Sequence, residues 1–188
     1  MAGYAQTLAT AQTAGAAVTG TTITTLLPTS ALFTLPGGSL KIGDKLIIEA
    51  AGQMNTVVTT PGTTTFTVRM GPTANISVFA SQAMALNIVA QTNASWVLRL
   101  QMTCRAVGSG TTANFITVGE FTSRASLNAP AVGTTNGVGV VLLPDTAPAV
   151  GTGFDSTVGS LVDLQVTNSV AGSITLMEYE LTHRTWTP

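Results

Sequence analysis

The chain has 188 residues, of which seven are Lys or Arg, eight Asp or Glu and one His, so the net charge is −1 and charged residues are 8% of the total, against roughly 25% in an ordinary soluble domain. That length suits one domain with at most a short appendage, and the charge leaves no basic face to release counterions from a polyanion, which excludes nucleic-acid binding. Mean hydropathy is +0.41, yet Gly, Pro and Thr interrupt every apolar run well before the ~18 residues a membrane span requires.

Threonine stands where charge is missing. There are 34 of them, and a β-branched side chain of this kind suits a half-buried pleated surface better than a helix. A monomer this poor in charge is expected to need permanent assembly, because like-charge repulsion is what normally keeps folded proteins apart in solution.

Residues 1–20, MAGYAQTLATAQTAGAAVTG, carry no charge and show no clean period. They read as an arm preceding a domain at 21–188, held either by a neighbouring subunit or by folding back on that domain, since alone they bury too little to offset their ordering entropy. The same stretch lacks the basic and Leu-rich regions of a secretory leader, so synthesis is expected in the cytoplasm.

From Thr21 onward the pattern predicts strands separated by turns. They are Thr21–Leu27, Ala31–Leu35, Lys45–Met54, Thr56–Thr59, Thr64–Met70, Ile76–Ala80, Ser95–Val107, Ala113–Thr122, Val138–Leu143, Leu161–Thr167 and Ile174–Arg184. Pro36-Gly37-Gly38, Pro61-Gly62, Gly71-Pro72, Gly108-Ser109-Gly110 and Asn136-Gly137 supply the breaks. The clearest strand sets Trp96, Leu98, Leu100, Met102, Cys104 and Ala106 against Arg99, Gln101, Thr103 and Arg105, so one side is core and the other is wet or in an interface. Val162, Leu164 and Val166 alternate likewise with Asp163, Gln165 and Thr167, and Met177, Tyr179 and Leu181 with Glu178, Glu180 and Thr182.

Many short strands with unequal connections predict an all-β fold, an antiparallel jelly-roll sandwich with an extended N-terminal arm. The long crossovers are placed at Gln82–Asn93, Leu127–Gly137 and Pro144–Gly159.

Chemistry is thinly represented. His183 lies near the end of the last predicted strand, with only Glu178 and Glu180 as acids close to it in sequence, and reads as a surface or subunit-contact residue rather than a triad member. Cys104 belongs to the apolar side of its strand and reads as a small buried group; one Cys and one His exclude an intrachain thiolate–imidazole zinc site. The carboxylates are Asp44, Glu49, Glu120, Asp145, Asp155, Asp163, Glu178 and Glu180. A pair such as Glu120 and Glu178 is open to glycoside hydrolysis in principle, but few aromatics exist to build a sugar cleft. Asp145 and Asp155 sit in a loop without calcium-binding spacing. Arg69, Arg99 and Arg105 occupy polar strand positions and are expected to pair with acids such as Glu120, Asp163, Glu178 or Glu180. No catalytic residue, cofactor or metal is therefore expected.

The stretch Ser95-Trp-Val-Leu-Arg-Leu-Gln-Met-Thr-Cys-Arg-Ala-Val-Gly-Ser-Gly-Thr-Thr, continuing to Val118-Gly-Glu, resembles one found in small virion proteins of tailed bacteriophages. Leu40-Lys-Ile-Gly-Asp-Lys-Leu-Ile-Ile-Glu-Ala-Ala-Gly and Leu164-Gln-Val-Thr-Asn-Ser are similar to the same jelly-roll group, and the likeness spans about Leu35 to Thr182. The resemblance implies a capsid decoration or cement protein on the virion surface, a homotrimer of the C1q or tumour-necrosis-factor kind bound to the major capsid protein, with no enzyme activity. On that reading Ala2, Tyr4, Gln6, Leu8 and Gln12 of the arm make capsid or subunit contacts, and Arg99, Gln101 and Arg105 line the trimer interface. The alternative is a fibre or tail-tip module that binds a host-surface glycan.

Overall fold

The structure, a computed structural model, describes residues 4–57, 62–126 and 139–185. Among these the chain forms β1 (Tyr4–Thr10), β2 (Thr24–Thr25), a 3-10 turn (Thr29–Ala31), β3 (Phe33–Leu35), β4 (Lys45–Thr56), β5 (Thr63–Met70) and β6 (Ile76–Ala80). They are followed by β7 (Met84–Ala85), β8 (Gln91–Ala106), β9 (Asn114–Ser123), β10 (Gly139–Leu143), β11 (Ser160–Asn168) and β12 (Ser173–Thr185). No helix among the described residues is long and apolar enough to cross a membrane.

The strands make two antiparallel sheets. The first has the order β1-β12-β4-β8-β9-β10; the second has β2-β11-β5-β6, with β3 also on β11 and β7 on β5. Pairings nest from the outside of the chain inward: β1 with β12, β2 and β3 with β11, β4 with β8, β5 with β6. Alternation dictates the layering. Leu46, Ile48 and Ala50 of β4, Trp96 to Cys104 at every second position of β8, and Leu181 of β12 turn inward to meet Phe66 and Val68 of β5 and Val162, Leu164 and Val166 of β11. The all-β antiparallel sandwich expected from the sequence is thus observed.

Aromatic packing fixes the centre. Phe66 of the second sheet lies 5.6 Å from Trp96 and 5.2 Å from Phe121 of the first, ring centroid to centroid. Gly52 on β4 makes room for the indole: a Cβ there would stand 2.0 Å from the Thr175 carbonyl oxygen and under 3 Å from the Trp96 ring. Gly52→Ala is therefore expected to cost about 1–3 kcal/mol through overpacking, measured by chemical denaturation.

The first segment lies along its own chain. β1 pairs with β12 from Tyr4↔Thr185 to Thr10↔Glu180, and the chain continues with Ala11 N–H on the Tyr179 carbonyl, Gly15 N–H on Leu176 and a double bridge between Val18 and Ile174. Of the two ways to hold residues 1–20, the structure therefore gives residues 4–18 the second: they cover the edge that β12 would otherwise present, a standard protection for an open sheet.

Predicted and observed strands agree to within a few residues for most of the chain, and Ile76–Ala80 coincides. Thr21–Leu27 shortens to Thr24–Thr25, and Thr56 is the end of β4, while residues 58–59 of the strand expected at Thr56–Thr59 lie outside the described residues. Gln82–Asn93 is no plain crossover, since it contains β7 and the first residues of β8. Leu127–Gly137 and Val138 lie outside the described residues. In Pro144–Gly159 the chain folds over the start of β9, where Phe154 stacks on Phe115 at 5.3 Å. There Asp155 accepts hydrogen bonds from the Gly110 N–H and from the N–H and hydroxyl of Thr157. The Thr157 hydroxyl first, and then those backbone N–H groups, hold its carboxyl below the ordinary aspartate range. A depressed carboxylate stabilises the fold above its unfolded-state value and loses that contribution as pH falls through the folded one. Asp155→Asn is accordingly expected to flatten the acid limb of the stability–pH curve.

Candidate subunit-contact face

The outward side of the first sheet carries seven of the chain's fifteen Lys, Arg, Asp and Glu residues. Strand register lines residues of neighbouring strands into rows. One row runs Thr10, Glu180, Glu49, Arg99, Glu120, Leu142 across six strands; the next runs Thr7, Thr182, Ile47, Gln101, Val118; the third runs Ala5, Arg184, Lys45, Thr103, Ile116. On the other side of the first row stand Glu178, Ala51, Val97, Thr122 and Val140. All four glutamates of the chain are in this face.

Arg99 bridges two of them, with Nε 3.6 Å from Glu49 Oε1 and Nη1 3.5 Å from Glu120 Oε1. Its side chain is 61% exposed and the two carboxylates 56% and 42%, so these long ion pairs contribute little to stability by themselves. Glu180 accepts from the hydroxyls of Thr182 at 2.7 Å and Thr7 at 3.0 Å. Those two hydroxyls, Thr182 the stronger, hold its carboxyl below the ordinary glutamate range. Glu49, Ala51, Val97, Arg99, Glu178 and Glu180 surround a shallow hollow of about 260 Å³, open because Ala51 is small. Exposed Val97, Val118, Val140, Leu142 and Met177 lie among and around the charges. The face therefore mixes unburied aliphatics with a few strong charges.

Of the residues expected to line an interface, Arg99 and Gln101 lie at the centre of this face. Arg105 is exposed at the β8 end, where the register slips between Cys104 and Ala106. Tyr4 and Gln6 are exposed on the β1 edge strand; Leu8 and Gln12 line a second hollow, of about 270 Å³, against Ser30, Leu32 and Phe33. Ala2 lies outside the described residues.

Several expectations are corrected. Among the described residues only Arg99 of the three arginines is in an ion pair. Arg69 is in register with Asp163, yet its Nε is buried without a hydrogen-bond partner. Asp163 itself is buried, accepting from Thr25 and Gln165 side chains, because the second sheet's outward side is covered there. Met177 does not share the side of Tyr179 and Leu181: the register slips between Leu176 and Glu178, and the bulge turns Met177 out to solvent. Glu120 and Glu178 share a face but are three strand spacings apart, roughly 14 Å, wider than the ~9.5 Å limit of inverting glycosidases.

His183 is not on the surface. It lies on the buried side of β12, with Nε2 3.1 Å from Oδ2 of Asp44, which also accepts the Lys41 N–H at 2.9 Å. Sequence reasoning missed this pair because 139 residues separate its members; the parity of His183 with Tyr179 and Leu181 was the signal that could have found it. Asp44 also ties the adjacent turn to β8, its carbonyl accepting from Cys104 N–H. His183→Ala should therefore cost about 1.5–3 kcal/mol, the range for a hydrogen bond to a charged group, in a denaturation titration.

Cys104 is in the core as expected. Burial, and then the nearby Asp44 charge, push its thiol up to about 11, so it holds almost no thiolate at neutral pH and is no nucleophile. The native protein is expected to resist a thiol-specific reagent at pH 8 and to react fully only in denaturant. Among the described residues no group of three or more His, Cys, Asp or Glu is placed to hold a metal ion.

No protein-family model matches the chain, and no curated protein is similar enough to count as a relative.

Proposed function

We propose that the protein is a structural virion component, a capsid decoration or cement protein that works as a homo-oligomer and binds the assembled lattice of a major capsid protein. The single observation that carries this is the outward face of the first sheet, which gathers the four glutamates, Arg99, Lys45 and Arg184 beside exposed Val97, Val118 and Leu142. The nested pairing of first strand with last, and so on inward, supports the jelly-roll form of the sandwich, and with it the trimer that the sequence resemblance implies. Among the described residues Tyr4 is the one exposed aromatic, which favours lattice binding over the stacking platforms of a glycan reader.

Binding only to the assembled lattice raises the lattice's resistance to opening by the free energy of binding. Purified protein is therefore expected to co-sediment with empty capsids of the phage that carries it, to raise their disruption temperature, and to ignore unassembled capsid subunits. Absence of binding to capsids, or equal binding to free subunits, would overturn the proposal.

A further inference from the structure

The charges of the first sheet's outward face are sorted. Two residues to one side of the Thr182–Ile47–Gln101–Val118 row stand Arg184 and Lys45; two residues to the other side stand Glu180, Glu49 and Glu120, with Glu178 one step farther. Each flank is thus about 6–7 Å from an uncharged midline. Among the described residues neither Lys45, Arg184 nor Arg105 has a carboxylate within ion-pair distance, while on the opposite flank Arg99 pairs with two of the four carboxylates, Glu49 and Glu120.

Such a face is complementary to itself, which singles out one occupant. We propose that it docks a second copy of this chain, the basic flank of one copy against the acidic flank of the next, with the symmetry axis running across the strands along the direction of the uncharged row. A two-fold on that row places Arg184 opposite the second copy's Glu180 and Lys45 opposite its Glu49; a three-fold parallel to the row joins the same flanks head to tail. An axis along the strands would instead stack glutamate on glutamate, which electrostatic complementarity forbids. A foreign partner would need complementary charge of its own but would not require opposite charges at equal distances on either side of one line. Ile47, Gln101 and Val118 fill the middle, where a desolvated contact needs uncharged groups. This inference rests on the reading of the protein as a self-assembling structural component and adds how its copies meet.

The test is charge reversal in the full chain. K45E/R184E and E49K/E180K change exposed or half-exposed side chains, and their folding is checked by circular dichroism and thermal melting. Each variant alone is expected to fall to the monomer mass in sedimentation equilibrium, with association weakened at least ~10-fold, while an equimolar mixture of the two re-associates through the charge-swapped contact. K45Q/R184Q, which removes charge without reversing it, is expected to weaken association less. Folded variants that keep the wild-type mass, or a mixture that stays monomeric, would overturn the inference. So would a wild-type monomer that still binds capsids, which leaves only the capsid-binding part of the virion proposal standing; charge-dependent oligomers that ignore capsids would sink capsid binding alone.

Discussion

Trp96→Ala is expected to lower the free energy of unfolding by about 3–5 kcal/mol, read from the midpoint of a urea titration at unchanged slope. The indole is 1% exposed and lies between Phe66, Phe121 and the backbone at Gly52, so nothing nearby can collapse into the space it leaves. Packing is not its only term. The Trp96 Nε1–H is buried without a hydrogen-bond partner, an arrangement that itself costs about 1–3 kcal/mol. Trp96→Phe removes that donor while keeping a ring against Phe66, and is expected to lose markedly less than the alanine variant. Equal losses for the two would mean that the site tolerates no smaller ring and that the orphaned N–H is of no consequence.

Removing the first eighteen residues is expected to destabilise the sandwich by at least about 3 kcal/mol and to make it associate through its edge. Val18 is buried, and the partly buried Leu8, Ala9 and Ala11 pack on the core. Without them Ile174, Leu176 and Leu26 lose their cover, and β12 presents a long row of unpaired backbone groups. Gly15 is where the fit is tightest, because a Cβ there would stand 2.1 Å from the Leu26 carbonyl oxygen; Gly15→Val is expected to reproduce part of the loss without shortening the chain. Unchanged stability on truncation would show that residues 4–18 are an appendage after all.

The sandwich was legible because its inward positions alternate cleanly. Leu98, Leu100 and Met102 declare a face without any knowledge of what they pack on, and the turn residues between strands do the rest. The first strand was not legible as a strand: Tyr4–Thr10 lies at an edge, half exposed, and its place depends on pairing with Thr185 to Glu180 at the far end of the chain. Bulges defeat alternation for the same local reason, since one inserted residue reverses every side chain beyond it, and Met177 was misplaced accordingly. The Asp44–His183 contact and the sorted rows of charge exist only in register, which a linear reading does not contain. Arg99 and Gln101 could be marked as outward; that Lys45 and Arg184 flank one side of Gln101's row and the glutamates the other could not.

The most direct check on the whole picture is the mass of the wild-type protein by sedimentation equilibrium at micromolar concentration, followed as salt is raised. The outward face of the first sheet predicts a discrete multiple of the 19.1 kDa chain at low salt, falling toward one chain as screening weakens the flanks. A single-chain mass at every salt concentration, or an assembly indifferent to salt, would contradict it.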